Sequence, residues 1–183
     1  MPDLLIVYGT VEGQTRKICE YLATEAESLG FKTSMYEAAG VPPGLDYGRF
    51  TKIIVAASVH IERHQQSVVN FVKAHRAELE RVPTAFVSVS LSAAGDAEER
   101  YDAWAYTRQF SEETHWRPPA VHVVAGALRF TKEDFFKRWA MKRLAKDKRR
   151  HTHNDQDYEY TDWVDLDVFL KGFLSPILPP PRP

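Results

Sequence analysis

The sequence predicts an α/β fold of three layers, a five-stranded parallel sheet with helices on both faces. Three observations point to it. Short, nearly unbroken apolar runs such as Leu4–Tyr8 and Ile53–Ala57 are the signature of strands buried on both faces. The stretches between them carry apolar residues at helical spacing. Strand and helix patterns then alternate along the chain, which calls for crossover connections and parallel neighbours. With 183 residues the chain is long enough for one domain with a real core. We read 1–174 as that domain, with an insertion over 129–160, and 175–183 as a proline-rich tail that is extended and mobile.

Taken in order, Asp3 to Tyr8 is the first strand. Ile18, Cys19, Leu22, Ala23, Ala26 and Leu29 mark the first helix, and Gly30 stops it. Phe31 to Tyr36 is a weaker second strand, suited to a sheet edge. Lys52 to Ala57 is the third, followed by a polar loop to Gln66. Val68, Val69, Phe71, Val72, His75 and Leu79 define a second helix. Thr84 to Leu91 is the fourth strand, entered through Pro83. Tyr101 to Phe110 is a helix with Trp104 and Phe110 as core residues. Ala120 to Leu128 is the fifth strand. The last helix carries Trp163, Leu166, Phe169, Leu170 and Phe173.

Composition narrows the functional classes. Hydrophobic residues at 44% and charged residues at 27% describe an ordinary globular protein, and a net charge of −1 gives no global field to steer nucleic acid. One cysteine allows no internal disulfide and suits a reducing compartment. Met1-Pro2-Asp3 lacks the basic start of a signal peptide, and no apolar run approaches the ~20 residues that cross a bilayer. The expectation is a cytoplasmic protein.

In such a sheet, ligands bind beyond the carboxyl ends of the strands. Three strand ends meet there: Gly9–Thr15, Ser58–Gln65 and Ser90–Gly95. The first runs from an apolar strand through a hydroxyl- and glycine-bearing loop into a helix. A helix start of this kind aims backbone N–H groups and a positive dipole at one spot, and so holds a phosphate without a lysine. It lacks both the three spaced glycines of a dinucleotide site and the Gly-Lys-Ser/Thr end of a P-loop. Thr10, Val11, Glu12, Gly13, Gln14 and Thr15 are the candidate phosphate residues. The competing reading makes the loop a plain turn with Thr15 as helix cap. Ser58, Val59 and His60, with Ser90, Leu91, Ser92, Ala93 and Ala94, would sandwich a flat ring. Phosphate plus planar heterocycle points to FMN. His60 and His64 either face the flavin or face solvent, and Tyr101 and Trp104 either stack on the ring or pack in the core.

Residues 129–150 hold ten basic side chains against three acids, a net +7 in a chain whose total is −1. Thr131-Lys132-Glu133-Asp134 reads as a helix start, and Phe136, Trp139, Ala140 and Leu144 share one face. Such a basic, aromatic helix suits a membrane surface or a partner, the alternative being a surface helix docked on its own domain. His151 and His153 follow without further ligands, so no metal is expected.

The first loop resembles the flavodoxin signature position by position: Ile6, Val7, Tyr8, Thr10, Gly13, Thr15, and Cys19 where an alanine is usual. Several stretches resemble one family within that group, the bacterial menaquinone-dependent protoporphyrinogen IX dehydrogenases. They are Glu12–Arg16, Ala57-Ser58, Ser88–Leu91, Trp116-Arg117-Pro118, Ala125–Phe130 and Tyr160-Thr161-Asp162-Trp163. The resemblance spans Leu4 to about Phe173. It implies strand order 2-1-3-4-5, FMN as cofactor, and oxidation of protoporphyrinogen IX with a quinone in haem synthesis. It also implies substrate or membrane contact by the segment after Leu128, with peripheral attachment to the inner face of the cell membrane. The chemistry would be centred on the flavin with no protein nucleophile. Arg129, Lys132, Lys137 and Arg138 would meet the substrate's propionates. Two other readings stay open: a flavodoxin-type electron carrier, against which the near-neutral charge argues, and an NAD(P)H:quinone reductase.

Overall fold

The computed structural model describes residues 1–128 and 158–175. In chain order the elements are β1 (Asp3–Gly9), α1 (Gln14–Ser28), β2 (Lys32–Glu37), β3 (Lys52–His60), β4 (Arg63–His64), α2 (Gln66–Leu79), β5 (Thr84–Ser90), α3 (Ala97–Thr114), β6 (Ala120–Ala125), β7 (Ala127–Leu128), β8 (Tyr158–Glu159) and α4 (Trp163–Leu174).

Alternation along β1 explains the layers. Leu4 and Ile6 face one side of the sheet, where Ile18 and Leu22 of α1 and Leu166 and Leu170 of α4 cover them. Leu5 and Val7 face the other, where α2 brings Val68, Phe71 and Val72 and α3 brings Phe110. A strand buried on both faces must be apolar at every position, and all four of these residues have no exposed surface. The five long strands stand in the order β2-β1-β3-β5-β6 and pair in parallel, so the expected class and order hold.

The detail differs at two strand ends. β3 does not stop at Ala57; it continues to His60 and turns back antiparallel into β4, which gives the sheet a sixth strand. The expected fifth strand divides at Gly126. There the backbone N–H donates to Ser90 O at 3.1 Å and the carbonyl accepts from Tyr160 N at 3.1 Å. The chain then leaves the main sheet, and β7 pairs antiparallel with β8.

One helix marker and one expected core residue are also displaced. Leu29 is half-exposed because it already sits at the C-cap of α1, ahead of Gly30 in the left-handed region at φ +86°. Trp104 is 46% exposed. α3 starts four residues earlier than expected, at a capping box between Asp96 and Glu99, and buries a stripe of mostly small residues: Ala103, Thr107, Phe110 and Thr114. Trp104 stands one position off that stripe. The large aromatic of this side is instead Trp116, which is edge-on to the stacked pair Phe86 and Phe110, whose centroids lie 4.4 Å apart.

Candidate cofactor site

The carboxyl ends of β1, β3, β5 and β6 open into one cavity of about 440 Å³, within the range of small-ligand sites. Its first wall is the β1–α1 loop. β1 ends at Gly9, where α2 lies too close for a side chain: a Cβ there would meet Val68 Cγ2 at 2.6 Å. Thr10 Oγ1 accepts a hydrogen bond from Gly13 N at 2.9 Å, which curls the loop. Gly13 is the N-cap of α1 at φ +86°, a conformation that suits glycine, and no side chain caps the helix. Thr15 is therefore not the cap. It lies inside the first turn, 1% exposed, and its hydroxyl has no hydrogen-bond partner among the described residues.

The second wall is the β3–β4 hairpin. Ser58, Val59, His60, Ile61 and Glu62 all line the cavity, and the Ser58 hydroxyl is a second buried oxygen without a partner among the described residues. The turn residues Ile61 and Glu62 have φ of 47° and 62°, as a two-residue hairpin of type I′ requires. Asparagine and glycine adopt that backbone readily. A β-branched isoleucine there stores strain of about 1–3 kcal/mol. Past the turn, His64 goes inward, with neither of the two roles considered for it. It is 8% exposed, lies 5.1 Å and 5.0 Å from the rings of Phe86 and Phe110, and its Nε2 is 2.8 Å from Ser88 Oγ. Burial pulls its pKa down to about 3, so it is neutral and faces the core.

The third wall is the end of β5 and the side of α3. Ser90, Leu91 and Ser92 line the cavity, and Ser90 Oγ accepts from Ala93 N at 3.3 Å. Glu99, Asp102 and Tyr106 follow at helical spacing on one face of α3. Burial pushes the Tyr106 phenol up, and its hydrogen bond to Ser92 works in the opposite direction. Tyr101 and Trp104, candidates for stacking on the ring, do not line the cavity. Two positions along a helix is a rotation of roughly 200°, which puts them on the far side from Glu99 and Asp102. Gly126 and Ala127 close the cavity beside β6.

Of the sequence candidates, Thr10, Val11, Glu12, Gln14, Thr15, Ser58, Val59, His60, Ser90, Leu91 and Ser92 line this space. Gly13, Ala93 and Ala94 do not, and act through loop shape. Arg129, Lys132, Lys137 and Arg138 lie outside the described residues, as do His151, His153, the basic helix and the tail beyond Ser175. Ile61, Glu62, Val89, Glu99, Asp102, Tyr106, Gly126 and Ala127 were missed. Only the Glu99, Asp102, Tyr106 spacing gave a signal in the sequence.

The site can be tested against a phosphate-bearing cofactor on its own chemistry. An uncapped helix start and the orphaned hydroxyls of Thr15 and Ser58 border one cavity. Buried polar atoms without partners are costly, and a ligand rich in hydrogen-bonding groups satisfies them. The described lining carries four carboxylates, Glu12, Glu62, Glu99 and Asp102, and no lysine or arginine. Among the described residues, an anion would therefore meet N–H and O–H donors here rather than a counter-charge. The residues fit.

A strand–loop–helix anion cradle at the switch point of a parallel sheet is the architecture of a flavodoxin-type protein. The flavodoxin domain model matches residues 5–155, and the chain belongs to that family. Among its curated relatives, protoporphyrinogen IX dehydrogenase [quinone] of Escherichia coli strain K12 is 29% identical over 91% of this chain and 92% of the relative. The protein of the same name from Leishmania major is 31% identical over 100% of this chain and 79% of the relative. Among solved structures, a cysteine-to-serine mutant of flavodoxin from Pseudomonas aeruginosa superposes with a TM-score of 0.50 at 15% identity, over 79% of this chain and 95% of the other. A short-chain flavodoxin of a bacterial microcompartment gives 0.51 at 13%, over 67% and 82%. The structural likenesses establish the fold. No helix among the described residues is long and apolar enough to cross a membrane.

Proposed function

We propose that this flavodoxin-like FMN oxidoreductase oxidises protoporphyrinogen IX and passes the electrons to a quinone, menaquinone being the type expected. The observation that carries the reading is similarity over 91–100% of this chain to relatives named for that reaction, at 29–31% identity. Bound FMN supplies the electron transfer. The chain's own residues bind and orient it. The β1–α1 loop, with Thr10 and Thr15, takes the phosphate; Ser58 to His60 and Ser90 to Ser92 flank the ring. Burial by the hairpin and by Tyr106 keeps water from one side. Arg129, Lys132, Lys137 and Arg138 meet the propionates of the porphyrinogen, on the strength of their charge and place in the chain. The same basic segment attracts an anionic membrane surface, at about 1 kcal/mol per basic residue near the lipid.

The test is turnover by the FMN-loaded protein with protoporphyrinogen IX, NADH or NADPH as donor and a menaquinone analogue as acceptor. Porphyrin formation coupled to quinone reduction is expected. Turnover with a nicotinamide donor and none with porphyrinogen would make the protein a quinone reductase. Reduction without turnover on either donor would make it a carrier. Charge reversal at Arg129, Lys132, Lys137 and Arg138 should raise the KM for porphyrinogen, and unchanged kinetics would remove those residues from the site.

A further inference from the structure

The helix that takes the phosphate starts without a side-chain cap, so something else must hold its first turn in place. That something comes from the other end of the chain. Gln14, in the first turn of α1 and 7% exposed, donates from Nε2 to Thr161 Oγ1 at 2.9 Å. The Thr161 hydroxyl in turn donates to the carbonyl of Ala125, the last residue of β6, at 2.8 Å. A hydroxyl can accept and donate at once, and this one does both. One residue before, Tyr160 N is bonded to Gly126 O, and Gly126 N to Ser90 O.

A second link runs beside the first. Lys17 Nζ is 2.5 Å from Glu159 Oε2 and lies 5.3 Å from the ring of Trp163, whose Nε1 donates to Glu159 Oε1 at 2.8 Å. Burial pushes the Glu159 carboxyl up, and the hydrogen bonds from Lys17, Trp163 and Gln14 outweigh it, leaving it below its usual range. The stretch 159–163 thus ties the phosphate wall of the cavity to the wall made by Ser90 and Gly126.

We propose that Thr161 is a positioning residue for the cofactor's phosphate: through Gln14 it fixes the first turn of α1, and with it the Thr15 hydroxyl, against the end of β6. The inference rests on FMN binding in this cavity. A second sign that the turn is built for a ligand is Thr15 itself, whose 1% exposed hydroxyl lines the cavity without a partner among the described residues. Thr161 does not line the cavity. Its effect should appear in the part of the cofactor that the turn holds.

The experiment compares FMN with riboflavin, which lacks the phosphate, by flavin-fluorescence titration of the full chain. Thr161→Val removes both hydrogen bonds and should raise the FMN dissociation constant roughly tenfold while changing that of riboflavin by less than about twofold. Thr161→Ser, which keeps the hydroxyl, should bind FMN as the wild type does. A double-mutant cycle guards against a folding defect in one variant. If Thr161 acts through Gln14, then Gln14→Met with Thr161→Val is no worse than Gln14→Met alone. Equal losses for FMN and riboflavin, wild-type affinity in Thr161→Val, or additive losses in the cycle would overturn the proposal. A wild-type chain that leaves FMN free would overturn the cofactor reading together with it.

Discussion

The β1–α1 loop and the β3–β4 hairpin both line one cavity, yet they are built on opposite principles. The loop puts glycine where the backbone needs positive φ, at Gly13, and is held by ties to residues 159–161. The hairpin places isoleucine and glutamate at its two positive-φ positions and is held by the inward plunge of His64 between Phe86, Phe110 and Ser88. One wall is relaxed and tethered from afar; the other is strained and anchored by its own His64, two residues past the turn. The contrast indicates that the loop's geometry belongs to its sequence, whereas the hairpin's is imposed by the core beneath it.

The anchor gives the largest effect. His64→Ala should lose about 3 kcal/mol of stability by leaving a cavity and depriving Ser88 of its partner, measurable by urea denaturation. Acid should reveal the same residue. The folded protein holds this imidazole at about 3 against an ordinary 6.5, so the unfolded chain takes the proton first as pH falls. The His64 contribution is whole above pH ~6.5 and drains away between there and pH ~3, on the order of 5 kcal/mol in all. His64→Gln keeps a hydrogen-bonding group for Ser88 and does not titrate, and should flatten that part of the stability–pH curve. A curve that keeps its slope in His64→Gln would show that the hairpin is held elsewhere.

The two turns give effects of opposite sign and smaller size. Gly13→Ala forces a Cβ into the left-handed region and should cost about 1 kcal/mol. Ile61→Asn puts a residue that tolerates this region into the strained turn and should stabilise the protein by up to about 1 kcal/mol. Thermal melts of the two variants should therefore move in opposite directions. If both fall, the hairpin is as well fitted to its sequence as the loop is.

The same contrast governs what could be read from the sequence. The parallel sheet was legible because strands covered on both faces must be apolar at every position, as Leu4 to Val7 are. The phosphate loop was legible because its chemistry is local: Thr10, Gly13 and Thr15 lie within six consecutive residues. The hairpin was not. Ile61-Glu62 carries no turn signal, since nothing in those side chains favours positive φ, and the polar run from Glu62 to Gln66 concealed a buried histidine. Trp104 misled for a related reason: the buried stripe of α3 is largely Ala103, Thr107 and Thr114, so the largest aromatic nearby drew the helix phase one residue too far. The tie from Gln14 to Thr161 spans 147 positions, a pairing that no local pattern announces. Gly126 and Ala127 enter the cavity only because the chain leaves the sheet there.

If both walls serve one cofactor, the buried hydroxyls of Thr15 and Ser58 are where it shows most directly. Thr15→Val and Ser58→Ala each remove a buried oxygen that has no partner among the described residues. The double variant should weaken FMN binding by at least about tenfold in a fluorescence titration, while the cofactor-free protein melts no lower than the wild type, because an unpaired buried hydroxyl costs stability. FMN binding as tight as in the wild type would contradict the account.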